Sequence, residues 1–218
     1  MLVRAARRVG SRAATGEGFE PRLVKLHRGE NKTPEYLSMN PNGQFPVLVV
    51  DGRPLNQIIA ICDYLDRRAP KAGLLPTDDW ARAQSLSQLA WMNNTVHPSF
   101  TRIFRTYEFA DSEAARADVR GRAVQRFREC LERIQGWVEN TSPFWLGAKV
   151  SFHDAYAFTL LRWGGIAGID PQSLPCSSAN ASGSTPTRLA EGARLADVGV
   201  RREHGPGVLL RLVVLAPR

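Results

Sequence analysis

The stretch that most restricts how this chain can fold runs from Phe45 to Leu55. Phe45-Pro46-Val47-Leu48-Val49-Val50 is apolar, Asp51-Gly52 follows, and Arg53-Pro54-Leu55 resumes an extended pattern. An apolar run closed by Asp-Gly predicts a hairpin with a two-residue turn, since both turn positions need positive φ and this pair tolerates it. Pro46 has no N–H to give a ladder, so it must open the strand or lie on an edge. A proline there is also a favourable place for a cis peptide, which costs about 0.5 to 1 kcal/mol at a tertiary amide. Such a kink turns the backbone N–H and C=O of Phe45 outward, where an extended peptide can pair as an added strand. The plainer reading is a proline that only ends a loop.

The flanks extend this unit. Leu23-Val24-Lys25-Leu26 alternates as a short strand, and Gly29 to Asn42 reads as loop and short helix with Thr33-Pro34-Glu35 as its start. From Gln57 to Arg68 the spacing Ile58, Ile61, Cys62, Leu65 is helical, and Pro70 ends it. Strand, loop, hairpin and helix form the back part of a thioredoxin-type unit over residues 1–70, with 1–18 atypical. Residues 71–79 read as a linker.

Residues 80–175 follow a different period. Leu86, Leu89, Asn93, Val96 with His97, Phe100 and Ile103 step by three and four, which predicts one long amphipathic helix with two polar interruptions. Pro98 removes the hydrogen bond to the Asn94 carbonyl and bends it. Val119, Ala123, Phe127, Leu131, Ile134 and Val138 predict another helix. Ser151-Phe152-His153-Asp154 has capping-box spacing before an apolar run to Trp163, with Asp in place of the usual Glu or Gln. The second half is therefore all-helical. Residues 176–218 are rich in turn formers at their start and read as a disordered tail.

The net charge of +8 suggests nucleic acid until it is located. Residues 1–18 hold four arginines against one glutamate, and residues 175–218 hold six against three acids, so the middle is nearly balanced. No aromatic-and-basic stripe or zinc spacing accompanies the charge, which argues against nucleic acid. Cys62, Cys130 and Cys176 form no CxxC pair, and the first two fall on apolar helix faces, as small hydrophobes do. His27, His153 and His204 gather no ligand set, so no metal is expected. No run of about 18 apolar residues is present, so no membrane span is expected.

Gly29-Glu30-Asn31-Lys32-Thr33-Pro34-Glu35-Tyr36-Leu37, Asn40-Pro41-Asn42-Gly43-Gln44-Phe45-Pro46-Val47-Leu48, Asp51-Gly52, Ala60-Ile61 and Tyr64-Leu65 together resemble the N-terminal half of bacterial glutathione S-transferases. Trp91 and Phe144-Trp145-Leu146-Gly147, leading to the Ser151 cap, look like the C-terminal half, and the resemblance covers about residues 19–174. It implies an α/β thioredoxin-like domain, here with its first strand missing, followed by an all-α bundle. It implies glutathione as co-substrate, conjugated through its thiolate to hydrophobic electrophiles, in a cytoplasmic homodimer; the alternative is a catalytically impaired glutathione-binding or protein-interaction module.

By the same resemblance Phe45, after which Pro46 opens the strand, binds the cysteinyl unit of glutathione. Gln57 and Ile58 occupy positions where relatives carry an acid and a serine that grip the γ-glutamyl carboxylate; Gln57 and the Ile58 N–H can still donate, but the hydroxyl is gone. Lys32 and Gln44 match positions near the glycyl end. His97 corresponds to a helix histidine near the bound sulfur in some relatives, with Asn93 four residues earlier on the same face. The Tyr, Ser or Cys that usually assists the thiol has no identified counterpart, Ser11 being the only hydroxyl or thiol before Thr15. The odd start and ending, next to well-matched text, suggest altered ends.

Overall fold

The fold is known from a computed structural model, which describes residues 20–22, 24–139, 141, 144–170, 174 and 213–215. Two units are distinguished, residues 1–73 with 194–218 and residues 74–193. Expectations placed on residues 1–18, Ser11 and the missing first strand among them, and on Cys176 and His204, fall outside the described residues.

In the first unit the chain forms β1 (Glu20–Arg22), α1 (Pro34–Met39), β2 (Val47–Val50), β3 (Arg53–Asn56) and α2 (Ile58–Arg68), joined by β4 (Val213–Leu215). The sheet order is β1-β4-β2-β3. β4 runs parallel to β2 and antiparallel to β1, with Val214 opposite Leu48 on one side and Pro21 on the other. Three residues of the expected tail are thus strand.

The hairpin has the register that its turn requires. Val47 pairs with Asn56 and Val50 with Arg53, while Asp51 and Gly52 take φ of 51° and 75°. Positive φ at both positions gives a turn whose twist matches that of the strands. The strand expected at Leu23–Leu26 lies instead at Glu20–Arg22, and Leu26–Arg28 forms a 3-10 turn. Pro21 is tolerated because β1 is an outer strand among the described residues. Val24 is buried in a cluster with Tyr36 and Val47.

Thr33 caps α1 by accepting from the Tyr36 N–H at 3.3 Å, with Pro34 in the first turn, where a missing N–H costs nothing. On α2 the buried residues are Ile61, Cys62 and Asp66. Burial pushes the Cys62 thiol up to about 12, so it serves as a small hydrophobe.

The second unit begins with Leu74 and Leu75, both buried, so the expected linker packs at its middle. The helices α3 (Asp79–Trp91), α4 (His97–Phe104), α5 (Glu113–Glu139) and α6 (Phe152–Ile166) follow. In place of one continuous helix, α3 and α4 are joined by a π turn over Met92–Val96, in which the His97 N–H bonds the Met92 carbonyl five residues back. Pro98, which cannot donate to Asn94, lies just beyond this wider turn.

The core combines Leu89, Met92, Val96, Phe100 and Ile103 with Phe127, Leu131 and Ile134 of α5 and Leu160 of α6, all at most 1% exposed. Each such side chain contributes about 1.5 to 3 kcal/mol by burial. Phe100 stacks on Trp163 with centroids 4.4 Å apart and tilts against Phe127 at 5.3 Å. A Cβ on Gly164 would stand 2.9 Å from Leu131 Cδ1, so glycine sets the approach of α6 to α5. At the start of α6, Asp154 Oδ2 accepts from the Ser151 N–H at 2.8 Å and from its hydroxyl at 2.6 Å, while Oδ1 accepts from the Trp145 N–H at 2.9 Å. The shorter acid therefore completes the capping box and also holds the preceding loop.

Candidate functional site

In the first unit the polar side chains around the β2 entrance are spent on backbone carbonyls. Asn31 Nδ2 donates to Gly43 O at 2.8 Å. Tyr36 Oη and Asn40 Nδ2 both donate to Gln44 O, at 2.7 and 2.6 Å, and Asn40 Oδ1 accepts from the Asn42 N–H at 3.2 Å. Gly43 has φ of 61°, and a Cβ there would come 3.1 Å from the Asn31 carbonyl, so both conformation and closeness favour glycine. These bonds fix the backbone just before Phe45, whose peptide to Pro46 is cis.

Gln57 caps the other side of the hairpin. It is one of two non-glycine residues with positive φ, at 70°, among the described residues, and its side chain makes no capping bond to α2. The first turn of α2 also carries no acid, so neither its cap side chain nor an acid of its own first turn accepts from its N–H groups. The Val47–Asn56 pairing brings Pro46 and Gln57 to the same end of the hairpin. Asn56 Nδ2 ties that end to α1 by donating to Met39 O at 3.1 Å. Gln44 and Gln57 are exposed, while Phe45, Pro46 and Ile58 are half-buried. Lys32, also exposed, follows the Asn31 brace directly.

Asn93 and His97 belong to the second unit and meet around Tyr156. The Tyr156 hydroxyl donates to Asn93 Oδ1 at 3.2 Å and lies 3.3 Å from His97 Nδ1, and Trp163 meets the imidazole edge-on with centroids 4.9 Å apart. Burial lowers the His97 pKa from its usual 6.5, and the Arg105 charge lowers it further, both favouring the neutral ring. His153 lies elsewhere, fully buried, with Nε2 2.9 Å from Ser85 O and Trp145 stacked on its ring. No group of three or more metal-capable side chains occurs among the described residues. Nor does any described helix have the length and apolarity to cross a membrane.

A concavity of about 740 Å³ opens between Trp80, Gln84, Arg133, Trp137 and Trp145, and holds none of the sequence-predicted site residues. Geometry around the hairpin is the better guide here, because a tripeptide held along a strand edge needs backbone groups more than a deep cavity. The sequence reading did not single out Asn31, Tyr36, Asn40 or Tyr156. Of these, Asn31 and Tyr36 lie in the motif stretch of residues 29–37 and Asn40 opens Asn40-Pro41-Asn42-Gly43, whereas Tyr156 lies in no such motif.

Residues 4–67 match the family description "Glutathione S-transferase, N-terminal domain". That match begins upstream of Phe19, where the motif resemblance starts, and so takes in most of the atypical start. Over 155 residues the chain is 32% identical to glutathione S-transferase GST-4.5 of Xanthomonas campestris pv. campestris, covering 70% of this chain and 74% of that relative. With glutathione S-transferase GstA of Escherichia coli O157:H7 it shares 30% over 132 residues, which is 59% of this chain and 61% of GstA. A solved maleylacetoacetate isomerase from Methylobacterium extorquens AM1, with bound malonate and GSH, superposes with a TM-score of 0.64 at 28% identity, over 89% of this chain and 91% of that one. A hairpin entered through Pro46, a helix starting behind Gln57 and a capped helical unit are thus joined to close to a third of a relative's residues in the matched region, and the chain belongs to the glutathione S-transferase family.

Proposed function

We propose that the chain binds glutathione at the Phe45 and Gln57 end of its hairpin and transfers it, as thiolate, to hydrophobic electrophiles. The observation that carries this reading is the triple bracing of the Gly43 and Gln44 carbonyls by Asn31, Tyr36 and Asn40, which holds the Phe45 backbone for pairing with an extended peptide. The Phe45 N–H and C=O take the cysteinyl unit. The uncapped start of α2 suits an anion, so the Gln57 side chain and the Ile58 N–H receive the γ-glutamyl carboxylate. Lys32 and Gln44 serve the glycyl end.

His97 acts on the thiol, with Asn93 beside it. A neutral imidazole takes the S–H proton, sulfur keeps the electron pair, and the thiolate attacks the electrophile. The lowered His97 pKa supports a ring that is free to accept at neutral pH. Two copies of the chain in the cytoplasm complete the reading, on family grounds.

Calorimetric titration of the full chain with glutathione, run beside conjugation to a generic aromatic electrophile, tests it. Binding with turnover that His97→Ala lowers by about 10² or more in kcat is expected, the usual scale for a general base. Binding without turnover would sink the transferase reading, and no binding would sink the site as well.

A further inference from the structure

The order of protons around Tyr156 follows from groups already named. Asn93 Nδ2 donates to Asn94 Oδ1 at 2.9 Å, so the Asn93 amide presents its oxygen to Tyr156. The tyrosine hydroxyl has one proton, and that proton goes to Asn93 Oδ1. Toward His97 the phenolic oxygen can then only accept. At 3.3 Å from Nδ1, it requires the ring proton on that nitrogen.

We propose that Tyr156 is a positioning residue which holds His97 as the Nδ1–H tautomer and leaves Nε2 as the open acceptor of the ring. No hydrogen bond to Nε2 is made by the described residues, and Trp163 closes on the imidazole edge-on, limiting its rotation. Free imidazole side chains favour the opposite tautomer, with the proton on Nε2, so the contact with Tyr156 changes which atom can act as a base. Resting on the function proposed above, Nε2 is the atom that receives the thiol proton. The thiol S–H bond breaks, an Nε2–H bond forms, and the pair stays on sulfur.

Nitrogen-15 NMR of the full chain with labelled histidine reads the tautomer directly. At a pH where the four histidines are neutral, His97, assigned by the signals lost in His97→Gln, should show a protonated Nδ1 and an unprotonated Nε2. Tyr156→Phe should move the proton to Nε2. A wild-type ring protonated on Nε2, or a pattern unchanged in Tyr156→Phe while its circular dichroism stays native, would overturn the proposal.

Kinetics supply the second readout. Tyr156→Phe is expected to lower kcat about tenfold, a fraction of the general-base effect, with the glutathione KM within about twofold. A larger KM with unchanged kcat would show a binding role and overturn the positioning one. An Nδ1–H tautomer in a chain without turnover would leave the tautomer assignment standing and remove the transferase reading.

Discussion

The two units build their polar sites in opposite ways. At the hairpin, side chains hold the backbone: Asn31, Tyr36 and Asn40 place their donors on the carbonyls of Gly43 and Gln44. In the helical unit the backbone holds side chains, since the π turn at Met92–Val96 carries Asn93 and leads into His97, and both face Tyr156. The first arrangement prepares main-chain groups for a peptide, and the second prepares a ring nitrogen for a proton. A substitution should therefore damage shape in one unit and reactivity in the other.

The strongest test of that contrast removes core from the helical unit. Phe127→Ala deletes a ring that is 0% exposed and packed on Phe100, and should cost about 3 to 5 kcal/mol in urea unfolding monitored by circular dichroism. Glutathione affinity should survive wherever the chain stays folded, if the hairpin alone binds. At the hairpin, Asn40→Ala removes a 2% exposed amide that serves both Gln44 O and the Asn42 N–H, for a loss of about 1 to 3 kcal/mol. Its glutathione affinity should fall as well, measured by calorimetry, while Tyr156→Phe leaves affinity in place.

Protonation should separate the units next. His97 and His153 have folded pKa values lowered from 6.5, chiefly by burial, so the unfolded chain takes up protons first. The stability they permit is complete above about pH 6.5 and declines as pH falls below it. Urea midpoints at pH 8, 6.5 and 5 should fall in that order, and His153→Gln should flatten the decline. The smallest effect belongs to the exposed Arg67–Asp63 pair of α2, where Arg67→Ala should change stability by under about 0.5 kcal/mol on the same scale.

Local chemistry explains what could be read in advance. The Asp51-Gly52 turn, the Thr33 cap, the α2 period and the Ser151–Asp154 box each depend on a few neighbouring residues, and all appear as spaced. Asn93 and His97, four residues apart, each contact Tyr156. Tyr156 was not legible, because an aromatic inside an apolar helix run carries no mark of a partner 59 or 63 positions away. Pro98 announced a disturbance but not its form, a π turn placed before it. β1 moved to Glu20–Arg22 because strand position depends on pairing with distant chain, which alternation at Leu23–Leu26 does not encode.

The placement of the aromatic residues has a spectroscopic consequence. All five tryptophans, Trp80, Trp91, Trp137, Trp145 and Trp163, fall in the unit of residues 74–193, from exposed Trp80 to Trp163 in the core. Arg133 lies over Trp91 and Trp137 at 4.9 and 5.0 Å, close enough to colour their emission as they part. Intrinsic indole fluorescence therefore watches the helices and carries no chromophore from the hairpin. An emission transition that coincides with loss of glutathione binding would mean that the two units melt as one cooperative body, whereas binding lost first would make the hairpin an independent switch inside a chain that still glows as native.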